Sequence, residues 1–568
     1  MSPATAVTAL GRLLPRREDY SGLATSWRGD VVAGLTVAVV ALPLALAFGI
    51  TTGLGAEAGL ITAIVAGFVA ALFGGSDVQV SGPTGAMTVV LVPVVAEHGP
   101  DGVVVVSILA GLLVVIAALL RLGRYLAYVP WPVIEGFTVG IAVIIFLQQV
   151  PSALGVATPE GENTALVALR AVGDAFGDGQ AAAVGIVVLV AAVMVLAPRL
   201  HRALPASLLA VAVATVLTEL ADLDVARIGA LPGSLPAPAL PSLAADQVSS
   251  LFSAAFAVAI LAALESLLSA KVADGMADGR RHDPDRELFG QGLANVAAPL
   301  FGGMPATGAI ARTAVNVRSG ARTRVASMVH ATALVLVVLF AGELVGRIPL
   351  AALAGVLVVT AARMVEVHSV RAVLRSTRSD AVVLIVTAAA TIVLDLIVAV
   401  EIGIAVAAGL ALRNVARTAS ATPEPVPELD RATSDELLDS GILSYRLDGA
   451  LFFGAAQRFL TELTAVTDAR VVVLRLPDVQ VLDATGAQAL GEIVAELEDR
   501  GITVLLKGPR PEHLRVLEAT GALARLAHQK HLFDDLPDAL EHARSHVRRQ
   551  RAGSVGAAAG AGTEQQIG

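Results

Sequence analysis

The sequence predicts a polytopic α-helical membrane protein of about fourteen helices, followed by a small cytoplasmic α/β domain. Three observations predict it. The 568 residues are 55% hydrophobic and only 16% charged, with a mean hydropathy of +0.74, whereas soluble chains carry roughly 25% charged residues. Uncharged stretches long enough to cross a bilayer recur through the first 418 residues. Beyond them the apolar runs shorten and alternate between strand and helix periods.

Composition also excludes classes. A net charge of −9 offers no basic footprint, so no nucleic-acid partner is expected. The absence of cysteine removes disulfides, thiolate nucleophiles and cysteine metal sites. Aromatics are only 4% of the chain, so the apolar mass is Ala, Val and Leu, which suits close helix packing in lipid.

The spans follow in order. Residues 31–50, 58–76, 78–96, 102–120, 141–159, 179–198, 247–264 and 325–342 are charge-free and near the roughly 20 residues that a bilayer-crossing helix needs. Shorter apolar segments occupy 203–218, 348–362, 381–394 and 402–412. Residues 288–311 are uncharged but broken by Gly302-Gly303 and Pro305, which reads as two short helices. Residues 1–29 form a polar, Arg-bearing cytoplasmic segment with no cleavable signal pattern. With that end inside, the short loops hold 21 Lys and Arg on the inner side against three, Arg170, Arg227 and Arg347, outside. This bias supports an even span count, with both termini cytoplasmic, in a transmembrane region of residues 30–418.

A linker at 419–440 is Pro- and Glu-rich. Residues 441–548 alternate strands (442–447, 471–476, 502–506) with helices (455–465, 487–499, 512–519), the pattern of a sheet covered by helices. Residues 549–568 are Gly- and Ala-rich and are expected to be a disordered tail.

Two short segments carry chemistry. Pro83-Thr84-Gly85-Ala86 opens one helix, and Pro305-Ala306-Thr307-Gly308-Ala309 opens another. Interrupted helices at matching positions of two halves point to a transporter's substrate site. A half-helix that starts in mid-bilayer has free N–H groups and the positive end of its dipole, and both attract an anion. Gly allows close approach and Thr adds a donor. The alternative is a pair of ordinary Gly/Pro turns. Two charges remain in apolar surroundings, where each costs on the order of 2.5–3.5 kcal/mol and is kept for a task. Arg312 can hold the anion beside the dipoles. Glu265 can take a proton or a cation, with Ser269 one turn on. The alternative for both is a structural Glu–Arg pair. Asp395 and Glu401 read as solvated or capping carboxylates, and Glu135 lies near a membrane boundary.

Other patterns are weaker. His542 and His546 stand at i, i+4 without an evident third ligand, so a solvated helix face is expected there and no metal site. No GxxxxGK[ST] loop exists to bind ATP, and no Ser–His–Asp or HExxH constellation indicates an enzyme. No cofactor is expected beyond a coupling ion, Na+ or H+.

Residues 30–43, DVVAGLTVAVVALP, resemble the opening signature of the SulP anion-transporter family. So do ALFGGSDVQVSGPTGAMTVV (71–90), LESLLSAKVADGM (264–276) and ELFGQGLANVAAPLFGGMPATGAIARTAVNVRSGART (287–323). DATGAQAL (483–490) after a strand is similar to the STAS domain, the module of anti-sigma-factor antagonists. The resemblance covers nearly all of residues 30–547. It implies a seven-plus-seven inverted repeat with core and gate domains, usually dimeric, with the anion between the third and tenth helices. The substrate residues it implies are Leu44, Phe48, Thr84, Gly85, Ala86, Thr307, Gly308, Ala309 and Arg312. Many members have Gln where this chain has Leu44, so one polar contact is missing here. Glu265 matches the acidic coupling residue of the eighth helix, and Ser269 matches a hydroxyl that supports sodium in bicarbonate-type members. The bicarbonate type has Asp at the Glu265 position. Thr485 occupies the position of the phosphorylated Ser/Thr of anti-sigma-factor antagonists; the alternative is that it caps its helix.

The function implied is secondary active transport of a small anion (bicarbonate, sulfate or dicarboxylate) across the inner membrane by alternating access, coupled to H+ or Na+. Two rivals stand beside it. One is an uncoupled anion exchanger or channel. The other is a membrane-anchored signalling protein with the STAS domain as its output. The partners expected are the anion, the bilayer, a second copy of the chain and a cytoplasmic regulator of the STAS domain.

Overall fold

The structure is a computed structural model. It describes residues 12–563 except 127–129, 160, 162, 176–180, 201–204, 232–233, 235, 240–244, 278–279, 395, 419, 424–439 and 453–468. Its chain divides into two compact units, residues 1–405 and 406–568.

The first unit is helical. Its elements are α1 (Leu23–Thr51), α2 (Ala56–Phe73), α3 (Gly85–Leu119), α4 (Trp131–Leu154), α5 (Thr164–Asp174), α6 (Ala181–Leu200), α7 (Ala206–Leu220) and α8 (Ala245–Met276). It continues with α9 (Pro284–Leu300), α10 (Ile310–Arg318), α11 (Val325–Gly346), α12 (Leu350–Met364), α13 (Val367–Ser376) and α14 (Arg378–Val393), and α15 (Leu396–Thr418) runs past the unit's end at residue 405 into the second unit. Two-residue strands β1 (Ser81–Gly82) and β2 (Thr307–Gly308) precede α3 and α10. Within α3, Gly99 leaves the helix at φ 66° and ψ −169°. A glycine suits that turn, and Pro100 opens the next helix with its ring-fixed φ. Element α3 is therefore two spans. Setting α5 and α13 aside, the described residues form fourteen spanning or half-spanning helices. Eight stretches are long and apolar enough to cross a bilayer alone. The chain is a multi-pass membrane protein.

Packing sorts the helices into two groups. One holds α1, α2 and α3 from the first half with α8, α9, α10 and α11 from the second. The other holds α4, α6, α7, α12 and α14. These are the core and the gate that the resemblance implies. Small residues set the closest approaches. A Cβ on Gly111 of α3 would lie 2.7 Å from the Gly292 carbonyl of α9, so only glycine lets these backbones meet. In the gate, Gly136 of α4 faces the Leu384 carbonyl of α14 at 2.5 Å from a notional Cβ.

Several boundaries differ from expectation; α1 begins at Leu23 rather than 31 and α8 runs to Met276 rather than 264. The span expected at 141–159 begins at Trp131, because Trp131 Nε1 donates to Glu135 (2.9 Å) and the charge is accommodated inside the helix. The span expected at 78–96 begins at Gly85, because residues 77–84 stay extended to form β1.

The loops of the core at the end of α1 nearer the chain's N-terminus are joined by buried charges. Arg286 donates to both oxygens of Asp19 (2.9 and 2.6 Å), and Arg324 bonds Asp77 at 2.9 Å. Arg286 and Arg324, counted among the positive inner residues, are 2% and 1% exposed. Asp30 accepts from the backbone of Arg322 and Thr323 and from the hydroxyls of Ser26 and Thr323. Glu287 accepts from Gly75 N, Ser76 N and Gln79 Nε2. Each bond joins a segment of the first half to one of the second, except that from Ser26.

In the second unit, strands β3 (Ser420–Pro423), β4 (Ile442–Leu451), β5 (Val471–Arg475), β7 (Thr503–Lys507) and β8 (Leu532–Phe533) form the sheet in that order. Strand β6 (Val479–Leu482) pairs with β4. Only β3 runs antiparallel. Helices α16 (Ala484–Asp499), α17 (Pro511–Ala519) and α18 (Leu536–Thr563) complete it. Leu447, Val472, Leu474 and Val504 pack with α16 on one face. Val471, Val473 and Leu505 pack with α18 on the other.

Four expectations change here. The linker begins with an edge strand: β3 takes Ser420–Pro423, with proline at its end where a lost donor costs least. The tail expected to be disordered from 549 continues as helix to Thr563, consistent with its alanines, the strongest helix formers. Asp483, not Thr485, caps α16, accepting from Gly486 N at 2.7 Å. Thr485 is an exposed residue in the first turn. The expected helix at 455–465 lies outside the described residues. The turn before β8 also carries His531 to His542 and His546, supplying the third imidazole that sequence spacing did not reveal.

Two stability predictions follow from these contacts. Burial works to raise the Asp19 carboxyl, but the Arg286 hydrogen bonds, the Arg16 amide and the Arg324 charge outweigh it and hold it at about 2, against an ordinary 3.8. Its folded value is depressed, so its contribution is complete above about pH 4 and disappears as pH falls toward 2. Asp19→Ala strands the buried Arg286, whereas Arg324 keeps Asp77, and should cost about 3–5 kcal/mol, read as a lowered melting temperature in detergent. In the second unit, Asp483→Ala should cost about 1 kcal/mol and Thr485→Ala much less.

Candidate anion-binding site

The site is built where two chain segments cross. Strands β1 and β2 pair antiparallel, Ser81 with Gly308 and Gly82 with Thr307. Each strand runs into a helix whose N-terminus has no side-chain cap: α3 after Thr84 and α10 after Ala309. Among the described residues, the first N–H groups of both helices (Gly85, Ala86, Met87; Ile310, Ala311, Arg312) have no acceptor. They are the orphan donors of two helix starts. The Gly308 and Ala309 N–H groups, by contrast, are used: Gly308 N donates to Ser266 Oγ (3.0 Å) and Ala309 N to Val80 O (2.9 Å).

Thr84 does not cap its own helix. Its hydroxyl donates to Glu265 Oε2 at 3.0 Å, and Thr307 Oγ1 donates to the same oxygen at 2.7 Å. One carboxylate of α8 thus receives a hydroxyl from each crossing segment. Thr307 is fully buried and Glu265 half-buried. Ser269, one turn along α8, meets Thr313 Oγ1 of α10 at 3.1 Å, and Thr313 accepts from Val80 N. Ser269 ties α8 to α10 and makes no hydrogen bond to Glu265.

Arg312 lies one turn into α10 and is 3% exposed. Its Nη2 donates to Pro83 O at 2.6 Å, just before the start of α3. Its Nη1 is buried without a partner, over Gly82, where a Cβ would come within 2.6 Å of it. It forms no ion pair with Glu265, so the structural Glu–Arg pair weighed from sequence is not the arrangement present. Phe48 covers the start of α3, its ring 3.4 Å from a notional Cβ on Gly85. Leu44 is one turn back on α1 and half-buried. The structure therefore gathers Phe48, Thr84, Gly85, Thr307, Glu265 and Arg312 around one point.

A cleft of about 1680 Å³ opens near the end of α1 farthest from the chain's N-terminus, lined by Ile50, Thr51, Pro93, Gln149 and Leu353 among others. Its lining includes Ala47 and Val90 but not Phe48, Ile145 or Glu265.

Sequence reading missed the buried polar frame. Gln291 Nε2 and Asn295 Nδ2 both donate to Ala306 O, and Asn295 Oδ1 accepts from Ala306 N. Asn316 Nδ2 donates to Val78 O. The readable signal was Gln291 and Asn295 at i, i+4 in an apolar run. Ser266 had none, since serine is common in membrane helices.

Residues 27–387 match the sulfate permease family and residues 438–539 the STAS domain. The chain belongs to the sulfate permease family. YvdB of Bacillus subtilis, named as a candidate sulfate transporter, is 34% identical over 513 residues, 89% of this chain and 96% of that protein. The bicarbonate transporter BicA of Synechocystis is 33% identical over 534 residues, 91% and 94%. The solved transmembrane domain of a cyanobacterial BicA superposes with a TM-score of 0.61 at 32% identity, covering 68% of this chain and 98% of that one. The structure of SLC26A9 gives 0.80 at 16% identity, over 97% and 96%, which speaks to the fold alone. The family is one of transporters, not enzymes, and its members' names support anion transport by this sulfate permease homologue.

Arg312→Ala should test the electrostatics. Removing a charged donor costs about 1.5–3 kcal/mol, and the Coulomb part grows with ligand charge. Affinity for a divalent anion should fall about tenfold or more and for a monovalent anion less, measured by binding to purified protein. Equal losses would assign Arg312 to holding Pro83 alone.

Proposed function

We propose that this protein is a secondary active transporter that moves a small anion across the inner membrane together with a cation bound at Glu265. The observation that carries the reading is the convergence of Thr84 and Thr307 on one Glu265 oxygen, between two uncapped helix starts. The helix starts and Arg312 favour an anion. A bare carboxylate beside that anion repels it. A proton or Na+ on Glu265 removes the repulsion, so anion and cation bind best together, which is the thermodynamic basis of symport. Bicarbonate, sulfate and dicarboxylates all satisfy the charge pattern. The names of the relatives favour bicarbonate and sulfate. Both termini are cytoplasmic in this reading, in keeping with the Lys and Arg bias of the loops.

Alternating access fits the division into core and gate. The cleft near the outer end of α1 would be one of the two access routes. The STAS domain regulates rate or assembly and lies outside the permeation path.

Uptake into proteoliposomes across a panel of these anions, with Na+ and H+ gradients imposed separately, tests the function. Accumulation driven by one gradient is expected. Flux indifferent to both would make the protein an uncoupled exchanger or channel. Glu265→Gln, a mimic of the protonated form, should retain anion binding and exchange but abolish gradient-driven accumulation. Unchanged accumulation at equal expression would remove Glu265 from coupling. Deletion after Thr418, which keeps β3 with its own sheet, should change rate or assembly and leave anion preference unaltered.

A further inference from the structure

The second unit contains a cluster of histidines that transport does not use. His542 and His546 lie one turn apart on α18, with Nε2 atoms 3.2 Å from each other. His531, in the turn leading into β8, faces both, with ring centroids 5.5 and 5.2 Å away. One nitrogen from each ring can be chosen so that all three lie within 4.8 Å of one another. Nitrogens bound at about 2.0–2.1 Å to a tetrahedral ion stand about 3.3 Å apart, so small ring rotations complete the set.

His531 is the decisive residue. It is 1% exposed, and neither ring nitrogen has a hydrogen-bond partner. The Val504 backbone is near enough to favour its charged form slightly, but not in hydrogen-bonding geometry. A hydrogen bond between His542 and His546 would account for those two rings but leave His531 stranded, and a buried unsatisfied polar group is costly. His531 Nδ1 also lies 4.0 Å from Glu498, whose carboxylate is fixed by Val504 N.

We propose that this domain binds a divalent transition-metal ion of the zinc class through His531, His542 and His546, with water in the fourth position. Three neutral imidazoles with an open position are a familiar zinc donor set. Lys530, Arg549 and His528 face the cluster and oppose a bound cation, which argues for a regulatory, exchangeable ion rather than a permanent one. Bound metal would pin α18 to the β8 edge of the sheet. Its occupancy would then set the rigidity of the STAS unit.

The test uses the full-length, tag-free chain in detergent, stripped with EDTA. Zn2+ should bind at one equivalent per chain. Co2+ should give the visible absorption of a tetrahedral site, bleached by Zn2+. Either ion should raise the melting temperature of the STAS transition. His542→Gln and His546→Gln, on half-buried positions, should each weaken binding about 100-fold or more and remove the thermal shift, with far-UV circular dichroism unchanged. His368→Gln, at an exposed position in the other unit, should behave as the parent. Zn2+ binding that persists in the His542→Gln/His546→Gln double variant, or no tetrahedral Co2+ spectrum in the parent, would overturn the assignment.

Discussion

Two helices broken inside an apolar helical bundle leave backbone N–H and C=O groups, each of which costs several kcal/mol when buried without a partner. Strands β1 and β2 meet this constraint for each other, two residues against two. Side chains satisfy what the ladder does not. Thr313 accepts from Val80 N, Ser266 from Gly308 N, and Asn295 from Ala306 N. The remaining orphan donors are the first N–H groups of α3 and α10, and they point where the strands end. Backbone repair and ligand site are thus one construction, and the site cannot exist unless the repair is complete.

The charges obey the same logic. Arg312 is buried, yet one of its nitrogens is spent on the Pro83 carbonyl and the other is not. The first fixes the distance between the two helix starts; the second leaves a positive donor in place. Glu265 receives hydroxyls from both segments without an ion pair to Arg312. Had the two charges paired, each would have neutralised the other, and neither an anion nor a cation would gain by entering. Keeping them apart leaves two charges of opposite sign within one small volume, as the proposed symport requires.

Much of this was legible in the sequence because it lies in local pattern. The PTGA and PATGA segments, the Gly302-Gly303 break and the isolated Glu265 and Arg312 are visible in runs of a few residues. The unread parts depend on partners far along the chain. Ser266 matters because Gly308, 42 residues on, needs an acceptor. Trp131 starts its span because it bonds Glu135, so a charge-free window placed the start too late. His531 is a loop residue until β8 packs beside α18. The cap of α16 was misread by two residues because Asp483 and Thr485 are both good capping types, and only backbone geometry separates them.

The distribution of polar bonds bears on how the core and gate can move. Within the core, Asp19, Asp30, Asp77 and Glu287 join the halves at the end of α1 nearer the chain's N-terminus, and the β1–β2 pair joins them further along. Within the gate, Gly136 and Gly140 seat α4 against α14, and Arg363 donates to the Met194 carbonyl. Between the groups, Gln149 Nε2 reaches Thr51 Oγ1 at 3.2 Å, and Phe48 and Ile145 meet over Gly85. Bending either group internally would break charge-assisted bonds in a low-dielectric setting, where they are strongest. Sliding one group past the other exchanges apolar contacts for apolar contacts and sacrifices few hydrogen bonds. For the alternating access proposed above, rigid-body displacement is therefore the less costly motion, and it would carry Thr84, Thr307, Glu265 and Arg312 together without disturbing their mutual geometry.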